Sequence, residues 1–331
     1  MKGKIIFRAD AGEKIGYGHF IRSLALANMI KNDFDISFAT VDPTEYQKEQ
    51  ILCVGTLCSL NKDTHFEDFI KHLQGNEIVV LDNYFFTTDY QKTIKNKGTK
   101  LVCIDDMHDK HYVADLIINQ GMVSKEVFSV EKYTQFCLGI DWLLLRSPFI
   151  DAYKKHKNKE NTQSIKNLVV GFGGADLYNL TKRTIHVLTE IKNIQNIDVI
   201  IGDMFQKKEI PSSEKIKLHQ NISAEKIASL FSNCDLAILP TSTICLEALS
   251  CSARIATGFY VDNQESFYHY LEKEKIAYCL GNFLSTSYEE KIKTLLTSEV
   301  LPNLNPFPAN LSDLKERYIS IFKKIYFNDK N

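Results

Sequence analysis

Short apolar runs alternate with longer amphipathic stretches along both halves of the chain. The runs lie at residues 5–7, 36–39, 78–81 and 101–104, then at 168–170, 199–201, 236–239 and 255–256. Continuous apolar runs suit strands buried on both faces. The helical patterns between them suit right-handed crossovers, so the pattern predicts an α/β protein built on parallel sheets. Each half opens alike, with a strand, a glycine-containing turn and a helix: residues 5–9 lead into Gly16-Tyr17-Gly18, and 168–170 into Gly171-Phe172-Gly173-Gly174. The recurrence predicts two Rossmann-like domains facing across a cleft, with the ligand at the carboxyl ends of both sets of strands.

A polar run at 154–163 has no apolar face to bury and suits a linker. It divides the chain into an N-terminal domain, 1–158, and a C-terminal domain, 159–331. Residues 302–308 carry Pro302, Pro306 and Pro308, a stiff connector into a last amphipathic helix. That helix shows Leu311, Leu314, Tyr318, Ile321 and Ile325 on one side and is expected to pack back on the first domain. The length, 331 residues with 44% hydrophobic and 24% charged positions, agrees with two domains of globular composition.

Forty Lys and Arg against forty-one Asp and Glu leave a formal charge of -1. Such a chain projects no field that would draw it to nucleic acid or anionic lipid. No apolar run approaches the ~20 residues of a membrane span, and the chain opens on the strand-like 4–7, so a cytoplasmic protein is expected. The sequence does not fix the oligomeric state, with a monomer favoured. The eight cysteines form no CxxC pair, which reads as reduced, mostly structural thiols without a zinc cluster.

Three constellations carry chemistry. In the first, Gly16 and Gly18 free a loop for unusual backbone angles and close ligand approach, and His19 stands at the start of the helix marked by Ile21, Leu24, Ala25 and Met29. A neutral imidazole at that point can accept a proton from water, or it can simply pack at the turn. The glycine spacing lacks the third glycine of a dinucleotide fingerprint, and there is no phosphate-binding G-x-x-x-x-G-K-S/T. In the second, Gly173, Gly174 and Asp176 precede a helix running through Leu180, Ile185, Leu188 and Ile191; the small residues free N–H groups for phosphate oxygens, and Asp176 is also a candidate N-cap. In the third, Ser242 or Thr243 can cap the helix after the 236–239 strand, and Glu247 lies one turn inside it. Glu247 can accept two hydrogen bonds from a ribose diol, or act as a capping-box acid or solvated side chain.

These residues resemble a family. The stretch Arg8-Ala9-Asp10 through Gly16-Tyr17-Gly18-His19-Phe20-Ile21-Arg22 is similar to the signature of the UDP-2,4-diacetamido-2,4,6-trideoxy-β-L-altropyranose hydrolases of pseudaminic acid biosynthesis. Leu81-Asp82-Asn83-Tyr84, Ile104-Asp105-Asp106, Gly173-Gly174-Ala175-Asp176, Ser242-Thr243 with Glu247-Ala248-Leu249, and Val261-Asp262-Asn263-Gln264 follow in the family's order. The family often has Asp-His-Tyr where this chain has Asp82-Asn83-Tyr84, and a small polar residue where it has Phe85-Phe86. The resemblance implies a GT-B fold used to transfer a sugar to water, giving UDP and free sugar without a metal or other cofactor, in a pathway that supplies surface glycans. It implies that His19 is the base, that Tyr84 and Asn263 stand near the reacting sugar, that Glu247 binds ribose, and that Arg22, Asp82 and Gln264 belong to the substrate site.

Three other readings stay open. Asp105-Asp106-Met107-His108-Asp109-Lys110-His111 with Asp115 could ligate a metal or form a solvated loop. The same nucleotide site would serve a glycosyltransferase with a UDP-amino sugar donor, or a nucleotide-sugar-binding subunit without catalysis. His65, His72, His156, His186, His219 and His269 show no recognisable ligand partner and read as surface or packing residues.

Overall fold

The computed structural model describes residues 2–10, 18–155, 164–173, 176–202, 205 and 210–327. The chain forms two compact units, one of residues 1–147 with 309–331 and one of residues 148–308. Most of the expected linker, 156–163, lies outside the described residues, and Lys154 and Lys155 end a helix.

The first unit holds a seven-stranded parallel sheet. Its strands are β1 (Gly3–Arg8), β2 (Phe34–Val41), β3 (Thr56–Leu60), β4 (Ile78–Leu81), β5 (Lys100–Ile104), β7 (Leu116–Asn119) and β9 (Gln135–Leu138). Two short strands, β6 (His111–Tyr112) and β8 (Ser129–Val130), pair as a separate ribbon. The sheet order is β3-β2-β1-β4-β5-β7-β9, so the strand order reverses between β1 and β4. At such a reversal the connections leave toward opposite faces and open a crevice beyond the strand ends. Arg8, the last residue of β1, is registered against Leu81, the last residue of β4. The helices of this unit are α1 (Gly18–Ile30), α2 (Glu45–Leu52), α3 (His65–His72) and α4 (Thr88–Lys95).

The second unit takes α5 (Ser147–Lys155) from its second residue onward and holds six parallel strands, β10 (Asn167–Val170), β11 (Asn196–Ile201), β12 (Ile216–Gln220), β13 (Leu236–Pro240), β14 (Ile255–Phe259) and β15 (Tyr278–Asn282). Their order, β12-β11-β10-β13-β14-β15, puts the reversal between β10 and β13. Helices α6 (Leu180–Thr189), α7 (Ala224–Asn233), α8 (Thr243–Ser250), α9 (Glu265–Lys273) and α10 (Ser287–Thr297) complete it.

The eight apolar runs all became strands. The strands without such a run include β3 and β12, which close one side of their sheets with exposed and half-buried positions mixed along them. An edge strand has one neighbour and less to bury, so its sequence need not be continuously apolar. All eight cysteines are free thiols, five of them buried. Among the described residues no helix is long and apolar enough to cross a membrane.

The last helix, α11 (Leu314–Phe327), lies against α1 in the first unit. Its buried residues are Leu314, Tyr318, Phe322 and Ile325; Ile321, expected on that face, is only half-buried and Phe322 takes the place. The Tyr318 hydroxyl donates to the Trp142 carbonyl at 2.6 Å, Phe322 meets Phe34 edge-on, and Lys323 pairs with Asp33 at the rim. Covered by the sheet and by α11, α1 is apolar almost all round and buried at ten of its residues, which suits a helix with little solvent face. Phe322→Ala is therefore expected to destabilise the first unit by about 3–5 kcal/mol, read as a lower urea midpoint; an unchanged midpoint would mean that α11 is not part of this core.

Candidate functional site

Each unit places candidate site residues at its own strand-order reversal. In the first unit, β4 ends at Leu81 and the next side chain, Asp82, has no solvent exposure. A buried carboxylate is costly unless donors surround it. The donors come from one face of α1, at spacings of three and four residues: His19, Arg22 and Ser23. His19 Nδ1 lies 2.7 Å from Asp82 Oδ1. Arg22 Nη2 donates to the same oxygen at 2.6 Å, its Nε donates to Oδ2 at 2.9 Å, and the Ser23 hydroxyl donates to Oδ2 at 3.0 Å. Burial alone would raise the Asp82 carboxyl's pKa, but the Arg22 guanidinium and His19 outweigh it and hold it below the ordinary value. Burial likewise works against the Arg22 cation, and Asp82 and Asp106 overcome it, so that Arg22 is held charged.

The tautomer of His19 follows from these contacts. Arg22 Nη2 also lies 3.1 Å from His19 Nδ1, yet an arginine cannot accept a hydrogen bond and already has the carboxylate. The carboxylate can only accept, so Nδ1 carries a hydrogen and donates to Asp82, and in the neutral ring it is Nε2 that keeps the lone pair. His65 shows the reverse polarity. Its Nδ1 lies 2.8 Å from Arg8 Nη2 and must accept, and burial together with the Arg8 charge pushes its pKa down. His65 thus has a partner, a cation the sequence did not identify; His219, similarly, meets Asp198 at 2.6 Å.

Tyr84 follows Asp82 by two residues. Its ring stands edge-on to His19 with centroids 4.5 Å apart, and its hydroxyl donates to Asp106 Oδ2 at 3.1 Å. Arg22 Nη1 donates to the same Asp106 oxygen at 3.0 Å. Between Asp82 and Tyr84, Asn83 clamps the root of the next loop: its side-chain oxygen accepts from the Asp10 N–H at 2.8 Å. Asp10 in turn accepts from the Val41 N–H and the Thr40 hydroxyl and pairs with Arg8, tying the ends of β1 and β2 together. Gly18 differs from expectation. It is the first residue of α1, shows no left-handed backbone, and has open space where a Cβ would stand. A helical residue needs no special angles and a Cβ here would meet nothing within 4 Å, so among the described residues neither backbone nor packing requires glycine at this position. Gly16 lies outside the described residues.

The 105–115 stretch does not converge on a metal. Asp105 accepts the N–H groups of Met107 and His108, Asp109 pairs with Lys110, His111 meets Ser129 and Glu131, and Asp115 takes Lys95 and the Leu101 N–H. Among the described residues no group of three His, Cys, Asp or Glu side chains could hold a metal ion. Sequence reasoning passed over Asp106 as a ligand of Arg22 and Tyr84. The available signal was its position within two residues of a strand end, shared with Asp10 and Asp82.

In the second unit, Gly171 follows β10 and its N–H is bonded to the Ile238 carbonyl of β13. Gly173 has a φ of +87°, the left-handed turn that explains a glycine at this place; Gly174 lies outside the described residues. Asp176 accepts the N–H groups of Leu180 and Thr181 at 2.8 Å each, so it caps α6 from outside while Asn179 holds the cap position itself. The helix ends at Thr189, short of Ile191. Burial raises the Asp176 pKa against those donors. Ser242 is the N-cap of α8 through its backbone, with no side-chain cap bond, and Thr243 is the first residue of the helix. Glu247 is only 2% exposed, which removes the reading of a solvated side chain. Asn263 is exposed on the short turn after β14, while Gln264 is buried and its Oε1 accepts the Tyr260 N–H at 3.1 Å. The Tyr260 hydroxyl reaches to 4.0 Å from the Cβ position of Gly173, and Tyr178 meets its ring, two tyrosines that motif reading missed.

Asp82→Asn is expected to cost about 3–5 kcal/mol of stability at neutral pH, because the buried Arg22 loses its main counter-charge. The Asp82 pKa in the folded protein lies below the ordinary 3.8, so its contribution is complete above that value and is lost as pH falls through the folded one. The urea midpoints of the two proteins should therefore converge in that acid range; a gap that stays constant would show that Asp82 is not ionised in the folded state.

No family model matches the chain. It is 27% identical over 290 residues to an uncharacterised protein of Methanocaldococcus jannaschii, covering 82% of this chain and 58% of that one. It is 28% identical over 290 residues to the UDP-2,4-diacetamido-2,4,6-trideoxy-β-L-altropyranose hydrolase of Campylobacter jejuni, covering 82% of this chain and 97% of that one. Among solved structures it matches a putative UDP-N-acetylglucosamine 2-epimerase of Listeria monocytogenes with a TM-score of 0.64 and 10% identity, over 100% of this chain and 98% of that one. S. aureus MnaA with UDP matches at 0.62 and 11%, over 100% and 97%. MurG of Acinetobacter baumannii matches at 0.57 and 12%, over 99% and 98%. The likeness first read from short motifs is thus a likeness of most of the chain to the diacetamido-trideoxy-altropyranose hydrolase family, carried on a GT-B fold.

Proposed function

We propose that this protein is an enzyme that hydrolyses a UDP-linked diacetamido-trideoxy hexose to UDP and free sugar, in the synthesis of a nonulosonic acid such as pseudaminic acid. The observation that carries the reading is the His19–Asp82 pair. With Nδ1 donating to a buried carboxylate, Nε2 is the basic nitrogen, oriented and ready to take a proton. The similarity to the Campylobacter jejuni hydrolase supplies the substrate class.

In the proposed reaction, the water oxygen forms a bond to the anomeric carbon as its proton passes to His19 Nε2. The bond from that carbon to the UDP oxygen breaks, and UDP leaves with the electron pair. Asp82 stabilises the imidazolium that forms, and Tyr84 and Asn263 contact the reacting sugar. UDP is a good leaving group once its growing charge is held. N–H groups around Gly173 and Gly174 and in the first turn of α8, at Ser242 and Thr243, would supply oriented donors. Asp176 keeps the turn before α6 in shape, and Glu247 would accept from the ribose diol. In this reading the first unit activates water and the second binds UDP, so neither a metal nor a second macromolecule is needed, and the protein would work in the cytoplasm.

His19→Ala is expected to leave UDP affinity unchanged and to lower turnover by roughly 10²–10⁴-fold. Equal losses of affinity and turnover would mean that the residue binds and does not act as the base. In ¹⁸O water the label should enter the sugar, with inversion at the anomeric carbon; label in UDP would refute the bond assignment. Fast UDP release from UDP-sugar alone separates hydrolysis from transfer, since a transferase would stay slow until an acceptor is added.

A further inference from the structure

Asp106 stands outside the His19–Asp82 pair, yet it is bound to both neighbours of His19. Its Oδ2 accepts from Arg22 Nη1 at 3.0 Å and from the Tyr84 hydroxyl at 3.1 Å, while its Oδ1 is buried with no hydrogen-bond donor among the described residues. The charges around His19 can be counted by element. From α1 comes Arg22, a fixed cation with 6% exposure. From the end of β4 come Asp82, a buried anion, and the Tyr84 ring. From the end of β5 come Asp106 and Asp105; burial raises the Asp105 pKa, and its carboxylate takes the N–H groups of its own loop. Lys110 donates to the Tyr84 carbonyl and is paired with Asp109.

Arg22 and Asp82 by themselves cancel. If His19 took a proton beside that neutral pair, the cluster would carry a net buried positive charge, which burial opposes. With Asp106 sharing the guanidinium, the resting cluster is one negative charge in excess, and protonated His19 brings it to zero. We propose that Asp106 is a charge-balancing and positioning residue: by taking part of the Arg22 cation it leaves the Asp82 charge to His19, and by holding the Tyr84 hydroxyl it sets the ring against the imidazole. The charge balance concerns the resting protein; its meaning for turnover rests on the hydrolase reading above.

Asp106→Asn keeps the size and an acceptor oxygen but removes the charge. In a ¹⁵N NMR titration of the imidazoles, assigned with His19→Ala, the His19 midpoint is expected to fall by about 0.5–1 pH unit in Asp106→Asn. The acid limb of the kcat/KM profile should move by the same amount, with the plateau lower by roughly two- to five-fold and KM little changed. Asp106→Glu, which keeps the charge, should restore the midpoint. If Asp106→Asn does not fold, Asp106→Glu against Asp106→Gln makes the same comparison. A His19 midpoint that is equal in the charged and uncharged variants overturns the charge balance, whatever the rates. A shifted midpoint in a protein that turns over no UDP-sugar leaves the charge balance standing and removes the hydrolase reading.

Discussion

A carboxylate without solvent must be met by donors from more than one direction, and the arrangement of the first unit depends on how Asp82 meets that requirement. One helix face supplies His19, Arg22 and Ser23, and all three reach a residue that lies about sixty positions further along the chain. The contact joins the start of α1 to the end of β4 across the reversal in strand order. It also favours the Nδ1–H tautomer of His19, because the carboxylate facing that ring nitrogen can only accept. In the proposed reaction stability and chemistry would share one set of bonds, since a change at Asp82 that frees the imidazole also strands the Arg22 cation.

The two units place different residues on one topology. In both, the reversal places two strand ends side by side, β1 with β4 and β10 with β13. The first unit fills its reversal with charge, through Asp10, Asp82 and Asp106 beyond successive strand ends, each bound to an arginine. The second fills it with small residues and helix starts: Gly171 and Gly173 after β10, and Ser242 and Thr243 after β13. In the proposed reaction the first set would position a proton acceptor, which needs rigid counter-charges, and the second would present N–H groups to phosphate, which needs the absence of side chains.

Several residues took a different part from the one their motif suggested. Gly18 is not required by its backbone angle, since it already belongs to a helix, nor by its surroundings, which leave room for a Cβ. Asp176 caps from outside the cap position because Asn179, with a φ of 54°, turns the chain into α6. The acids and histidines after β5 are close in sequence, but Asp105, Asp106, Asp109, His111 and Asp115 bond to different neighbours, so proximity along the chain did not become a cluster. His65 could not be read at all from its surroundings in sequence, because its partner Arg8 is 57 residues away on another element.

What the sequence by itself determined was the alternation of buried strands and helices, the doubling of that pattern, and the residues presented at each strand end. These are local properties: apolar run length, period and turn chemistry are written within a few neighbours. The tertiary structure decided which strand ends stand together, and through them which side chains share charge. Asp82 became the centre of the first unit only because the strand order brings β4 beside β1. Asp106 joined it only because β5 comes next in the same sheet, an adjacency that arises from packing and leaves no mark in the spacing of the residues.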